Sequence, residues 1–147
     1  MQQNQKLTIT EAGGISAAVL VAIAIPVFTS QLEKSRDSVS ISNIRAAYAE
    51  AASSYLTANG AAVAKVGNVT VNAKSGDTQS VQVENVVLKG QATGFSGMEK
   101  ELSFTHSLSD SSTEGGTPGT YTALFTFNLA DGACTLTSLT AAGGGTP

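Results

Sequence analysis

Between Glu11 and Glu33 the chain carries no charged side chain, and inside that interval Ala17 to Ile25 is apolar at every position. A helix with no polar face is buried in protein or sits in lipid. As a membrane span the interval is marginal, because about 20 consecutive apolar residues are needed. Gly13, Gly14 and Ser16 weaken its front and Pro26 interrupts its back. A cleaved secretory signal is the rival reading, with Lys6 as the basic region and Ile15 to Ile25 as the apolar one. A cleaved signal should end in a structural break. Helical spacing instead continues past Pro26 to Ala58, which favours a retained stem over residues 1–27.

From Phe28 onward, apolar and small residues recur at helical spacing: Phe28, Leu32, Ile41, Ile44, Ala47, Tyr48, Ala51 and Tyr55. Glu33, Lys34, Asp37, Arg45 and Glu50 take the other sides, so the pattern predicts an amphipathic helix over 28–59. The Ala-rich segment Arg45 to Leu56 has high intrinsic propensity, and Asn59-Gly60 is a stop signal. Pro26 lacks a backbone donor and crowds the preceding turn, which predicts a kink there. One interrupted helix from Ile15 to Ala58 would run about 65 Å at roughly 1.5 Å per residue. A chain of 147 residues holds one ordinary domain and an extension, so the front half must find partners outside its own chain.

After Gly60 the period changes, and residues 61–140 read as β-rich. Val66, Val69 and Val71 form one short run, and Val81 to Lys89 a second strand. Thr120 to Leu129 is the clearest strand: Tyr121, Ala123, Phe125, Phe127 and Leu129 alternate with polar residues, Leu124 being the exception. A turn at Asp131-Gly132 then returns the chain through Ala133 to Thr140. Gly94 to Gly119 reads as a long surface loop with a fragment of strand at Leu102 to Phe104, and residues 141–147 as a flexible tail. The expected fold is α+β: a long N-terminal helix, kinked near Pro26, packed on a small antiparallel head of three or four strands.

Few chemistries fit this composition. Only 13% of residues are charged, the formal net charge is −3, and no basic run offers a surface for nucleic acid. The single cysteine, Cys134, lies in a strand-like run and reads as a small buried hydrophobe. The single histidine, His106, reads as solvated in a loop, and its closeness to Asp110 is no evidence of an acid–base pair. No nucleophile elbow, Cys/His metal spacing or phosphate loop occurs, so neither an enzyme nor a cofactor is expected. Asn68-Val69-Thr70 matches a glycosylation triplet of a kind common by chance.

The run Ile23-Ala24-Ile25-Pro26-Val27-Phe28-Thr29-Ser30-Gln31-Leu32-Glu33-Lys34-Ser35-Arg36, followed by Asn43-Ile44-Arg45-Ala46-Ala47-Tyr48, resembles type IV pilins of Gram-positive, clostridial-type bacteria. Gly119-Thr120-Tyr121-Thr122-Ala123, leading into a Phe-rich strand, is similar to the head of that family. The resemblance covers about Ala22 to Thr140. It implies a methylated pilin that inserts in the cytoplasmic membrane and is cut by a prepilin peptidase. An assembly ATPase and platform protein would then polymerise it into a cell-surface filament of identical subunits.

The extreme N-terminus departs from the family pattern. Lys6-Leu7-Thr8-Ile9-Thr10-Glu11 keeps the basic residue, the Thr and the Glu, which places processing at Lys6 and Leu7. The glycine before the cut is absent, Leu7 stands for Phe, and the spacing from Glu11 to Pro26 is about two residues short of the family's. Different processing and an altered start both remain open.

By the resemblance, Glu11, Pro26 and Phe28 serve assembly, Glu11 as a buried charge met by a neighbour's N-terminal amine. A buried unpaired carboxylate costs several kcal/mol, which would select the register of the incoming subunit. The local reading is a capping box, with Thr8 at the N-cap and Glu11 reaching back. Two other functions stay open: a minor pilin or pseudopilin of a secretion or DNA-uptake system, and a secreted β-rich binding module behind a signal peptide.

Overall fold

The computed structural model describes residues 29–142. Helix α1 (Gln2–Ala58) is therefore followed from residue 29 onward. The apolar stem, the expected kink near Pro26 and the residues Lys6, Leu7, Glu11 and Phe28 lie outside the described residues. Packing divides the chain into two units, Met1–Leu32 and Glu33–Pro147. The second unit holds every strand among the described residues and the part of α1 that packs on them.

Along α1 the buried positions are Asp37, Ser40, Ile41, Ile44, Ala47 and Ala51, with Tyr48, Ala52, Tyr55 and Ala58 half-buried. These steps of three and four put one stripe of the helix against a sheet. The helix stops where the sequence predicts. Asn59 (φ 51°) and Gly60 (φ 86°) both adopt the left-handed conformation that ends a helix.

Six strands form the sheet: β1 (Val63–Val66), β2 (Val69–Val71), β3 (Thr78–Leu88), β4 (Thr105–His106), β5 (Gly119–Asn128) and β6 (Cys134–Ala141). Their order is β1-β2-β3-β5-β6-β4, antiparallel throughout except that β4 runs parallel to β6. The fold is thus α+β, with more strands than the three or four expected. The Val-rich run divides in two because Gly67 (φ 61°) turns the chain, pairing Val66 with Val69. A two-residue Gly-Asn loop is a standard hairpin connection.

Two bulges decide which side chains enter the core. On β3, Val83 faces Ala123 and Val86 faces Tyr121, so Glu84 and Asn85 together oppose a single residue. Asn85 takes φ 62° to allow it. As a result Val81, Val83, Val86 and Leu88 all point inward. On β6 the pairing skips at Thr137, and Cys134, Leu136 and Leu139 share the inner face. The helix stripe meets this face through aromatic rings. Tyr55 stacks on Phe127 with centroids 4.3 Å apart, and Tyr48 stacks on Phe104 at 4.5 Å.

The segment expected as a surface loop, Gly94 to Gly119, is instead part of the core wall. Phe95, Leu102 and Phe104 are buried, and two 3-10 turns, Met98–Glu101 and Thr113–Gly116, fold the chain tightly. The strand fragment falls at Thr105–His106 rather than at Leu102 to Phe104. His106 is accordingly half-buried against Phe104 and not a solvated loop residue. The expected tail also begins later. β6 runs through Ala141, and the Ala142 N–H donates to the Thr120 carbonyl at 2.8 Å.

Candidate assembly surface

Seen from the side opposite the sheet, α1 presents Ser35, Val39, Ser42, Ala46, Ala49, Ser53 and Leu56, and every one of them is exposed. Their spacing alternates four and three residues, the repeat of a seam along which two helices pack. None carries a charge, although Lys34, Arg45 and Glu50 lie on neighbouring exposed positions. The seam covers about 32 Å at roughly 1.5 Å per residue. Small residues four apart, as at Ser42/Ala46 and Ala49/Ser53, allow a second backbone to approach closely. It carries two large apolar side chains that the sheet does not cover, Val39 and, at its C-terminal end, Leu56, which is 75% exposed.

Polar bonds tie α1 to the end of β3 and to the chain leaving it. The Asn43 side-chain amide donates to the Val87 carbonyl at 2.8 Å. The Ser40 hydroxyl donates to the Arg36 carbonyl and accepts from the Lys89 N–H at 2.8 Å. Two turns before Ser40, the Glu33 carboxylate accepts the N–H groups of Gln91 (2.7 Å) and Ala92 (2.9 Å). Partial burial works to raise the Glu33 pKa. The two N–H groups and the Arg36 guanidinium outweigh it, and the pKa is held below the ordinary glutamate value.

Asp37 lies one turn on, 1% exposed, its Oδ2 accepting from the Ser96 hydroxyl and its Oδ1 without a donor. Burial pushes its pKa up, and the charges of Glu33 and Asp110 add to the effect.

The structure brings together few of the residues the sequence singles out. Leu32, read as part of the sheet-facing stripe, is 41% exposed, because the buried stripe begins at Asp37. Cys134 is buried as expected, and desolvation pushes its thiol pKa up to about 12. Asn68 is exposed in the β1–β2 turn, where its Oδ1 accepts from Asn85. Asp110 accepts the Gly97 N–H. Among the described residues no group of three or more His, Cys, Asp and Glu side chains is placed to hold a metal, and no helix is long and apolar enough to cross a membrane.

The outer seam is the feature that sequence reasoning misses. Its signal is present as uncharged residues at alternating spacings of four and three, hidden by the low hydropathy of Ser and Ala. Comparison with family models, curated proteins and solved structures finds no match for this chain.

Proposed function

We propose that the chain is a structural subunit of a type IV pilus-like surface filament, assembling through its N-terminal helix. The observation that carries this reading is the uncharged, exposed seam from Ser35 to Leu56 on a helix whose other side is filled by the sheet. A solvated helix face ordinarily carries charge. One that keeps charge off seven positions at seam spacing is suited to another helix. The sequence ahead of it, uncharged from Ala12 to Leu32, adds a demand for apolar partners that the Ser- and Ala-rich seam itself does not make.

On this reading residues 1–27 form the stem, a long helix kinked near Pro26, and the head from residue 28 is displayed outward. The subunit sits in the cytoplasmic membrane before assembly, is processed at Lys6 and Leu7 by a prepilin peptidase, and joins identical copies at an assembly platform. Glu11 sets the register of the incoming copy. The role is structural rather than enzymatic.

Replacing Ser42 and Ala49 together by Glu places two charges in the seam at exposed positions away from the sheet. The expected result is loss of filaments from expressing cells, seen by electron microscopy with antibody against the head, while the head stays folded. Filaments of normal number and length from this variant would overturn the proposal. Glu11→Ala should likewise impair assembly without unfolding the head.

A further inference from the structure

The junction of α1 with the glycine-rich connection after β3 holds a carboxylate that the assembly seam does not use. Asp37 is 1% exposed, and a Cβ built on Gly90 would lie 2.5 Å from its Oδ1. The same Cβ would collide with the Gly115 carbonyl, and a Cβ on Gly115 would collide with the Gly94 carbonyl. Two chain segments, residues 89–97 and 110–116, therefore close over one side chain at a distance only glycine permits. Gly116 is held less tightly, its Cβ position 2.9 Å from the Ala92 carbonyl oxygen.

An ionised carboxylate in that position has poor company. The groups acting on it electrostatically are two further acids, Glu33 on the preceding turn of α1 and Asp110 on the covering loop. The nearest cation along the helix, Arg36, is turned to the Glu33 carboxylate at 3.4 Å and to the Gln91 side-chain carbonyl at 2.7 Å. Among the described residues the Ser96 hydroxyl is the one donor to Asp37, and Oδ1 has none. A buried charge without a counter-charge is costly, and the group escapes the cost by holding a proton or by reaching water.

We infer that Asp37 is a protonation-controlled latch: neutral, it lets residues 89–97 and 110–116 close over α1; ionised, it releases them to water. The linkage comes from the difference between the two states. In the open state Asp37 titrates in the ordinary aspartate range, and in the closed state above it. Between those values the closed state binds one proton more, so opening is favoured tenfold for each unit of rising pH. Above the closed-state value both forms are ionised and the dependence stops.

The test is amide hydrogen exchange on the full chain across pH 4 to 9, read by mass spectrometry and corrected for the intrinsic base-catalysed rate. Corrected protection in peptides covering 89–97 and 110–116 is expected to fall tenfold per pH unit over part of the range, while β5 stays protected. Asp37→Asn, which keeps an acceptor for Ser96 and has no proton to lose, should abolish that dependence. Corrected protection that is flat with pH in the wild-type chain would overturn the inference, as would an unchanged dependence in Asp37→Asn. The side-chain carboxyl ¹³C resonance of Asp37 supplies a readout that needs no variant. A midpoint at or below the ordinary aspartate range contradicts the latch, and a midpoint above it supports the latch.

Discussion

Replacing Phe127 by Ala removes the side chain on which the helix rests most squarely. Phe127 is 2% exposed on β5, which β3 and β6 flank, and it stacks on Tyr55 at 4.3 Å and on Tyr48 at 6.4 Å. Truncation of a buried Phe to Ala costs about 3–5 kcal/mol, counting lost transfer energy and the cavity left behind. Of this, about 0.5–1.5 kcal/mol belongs to the Tyr55 stack. The unit from Glu33 to Pro147 has 115 residues. At that size 1 kcal/mol corresponds to roughly 3–6 °C, so the melting temperature should fall by about 10–30 °C.

Urea and thermal unfolding of residues 28–147 measure this loss. A double-mutant cycle with Tyr55→Ala should return a coupling of about 1 kcal/mol. Tyr55→Phe is the control. Its hydroxyl reaches the Asn128 carbonyl only at 3.5 Å, so removing it should change stability by less than about 0.5 kcal/mol. A loss below about 1 kcal/mol in Phe127→Ala, or no coupling to Tyr55, would refute the seating of α1 on the sheet.

Gly115→Ala forces a methyl into the Gly94 carbonyl, and since every atom it meets is backbone it should destabilise the head by about 1–3 kcal/mol in urea unfolding. Glu33 has a lowered folded-state pKa, so its contribution is present above the ordinary glutamate value and lost as pH falls through the folded one. Glu33→Gln should therefore flatten the acid limb of the urea midpoint measured from pH 7 to 3. Asp37 has the opposite sign, stabilising at low pH and losing that contribution as pH rises. Cys134, buried and with its thiol pushed up to about 12, should resist aromatic disulfide reagents at pH 8 in the folded chain and react fully in denaturant.

How much of this the sequence discloses depends on which interactions are local. The sheet-facing stripe from Ile41 to Tyr55, the stop at Asn59-Gly60 and the alternation of β5 are all set within a few residues, and all are readable. Bulges are not local in that sense. Val86 and Val87 are adjacent and identical, yet Val86 is 4% exposed and Val87 37%, a choice fixed by the left-handed Asn85 and the pairing with Tyr121. The connection between β3 and β5 reads as a surface loop because Ser, Gly and Thr dominate it. What holds it is Glu33, 58 residues away along the chain from Gln91, together with the close approach of Gly94 and Gly115. The outer seam escapes notice because an uncharged surface of Ser and Ala has no strong hydropathy; only the position of the sheet shows which side of α1 is left over.

On the proposed reading the head closes its own core, while the apolar start, acting together with the helix seam, binds other copies. Sedimentation velocity of the full chain beside residues 28–147, both in detergent-free buffer, separates the two roles. Large polydisperse or filamentous species are expected for the full chain and a folded monomer for the shorter one. A stable full-length monomer, or a shorter chain that fails to fold, would overturn this division of the chain.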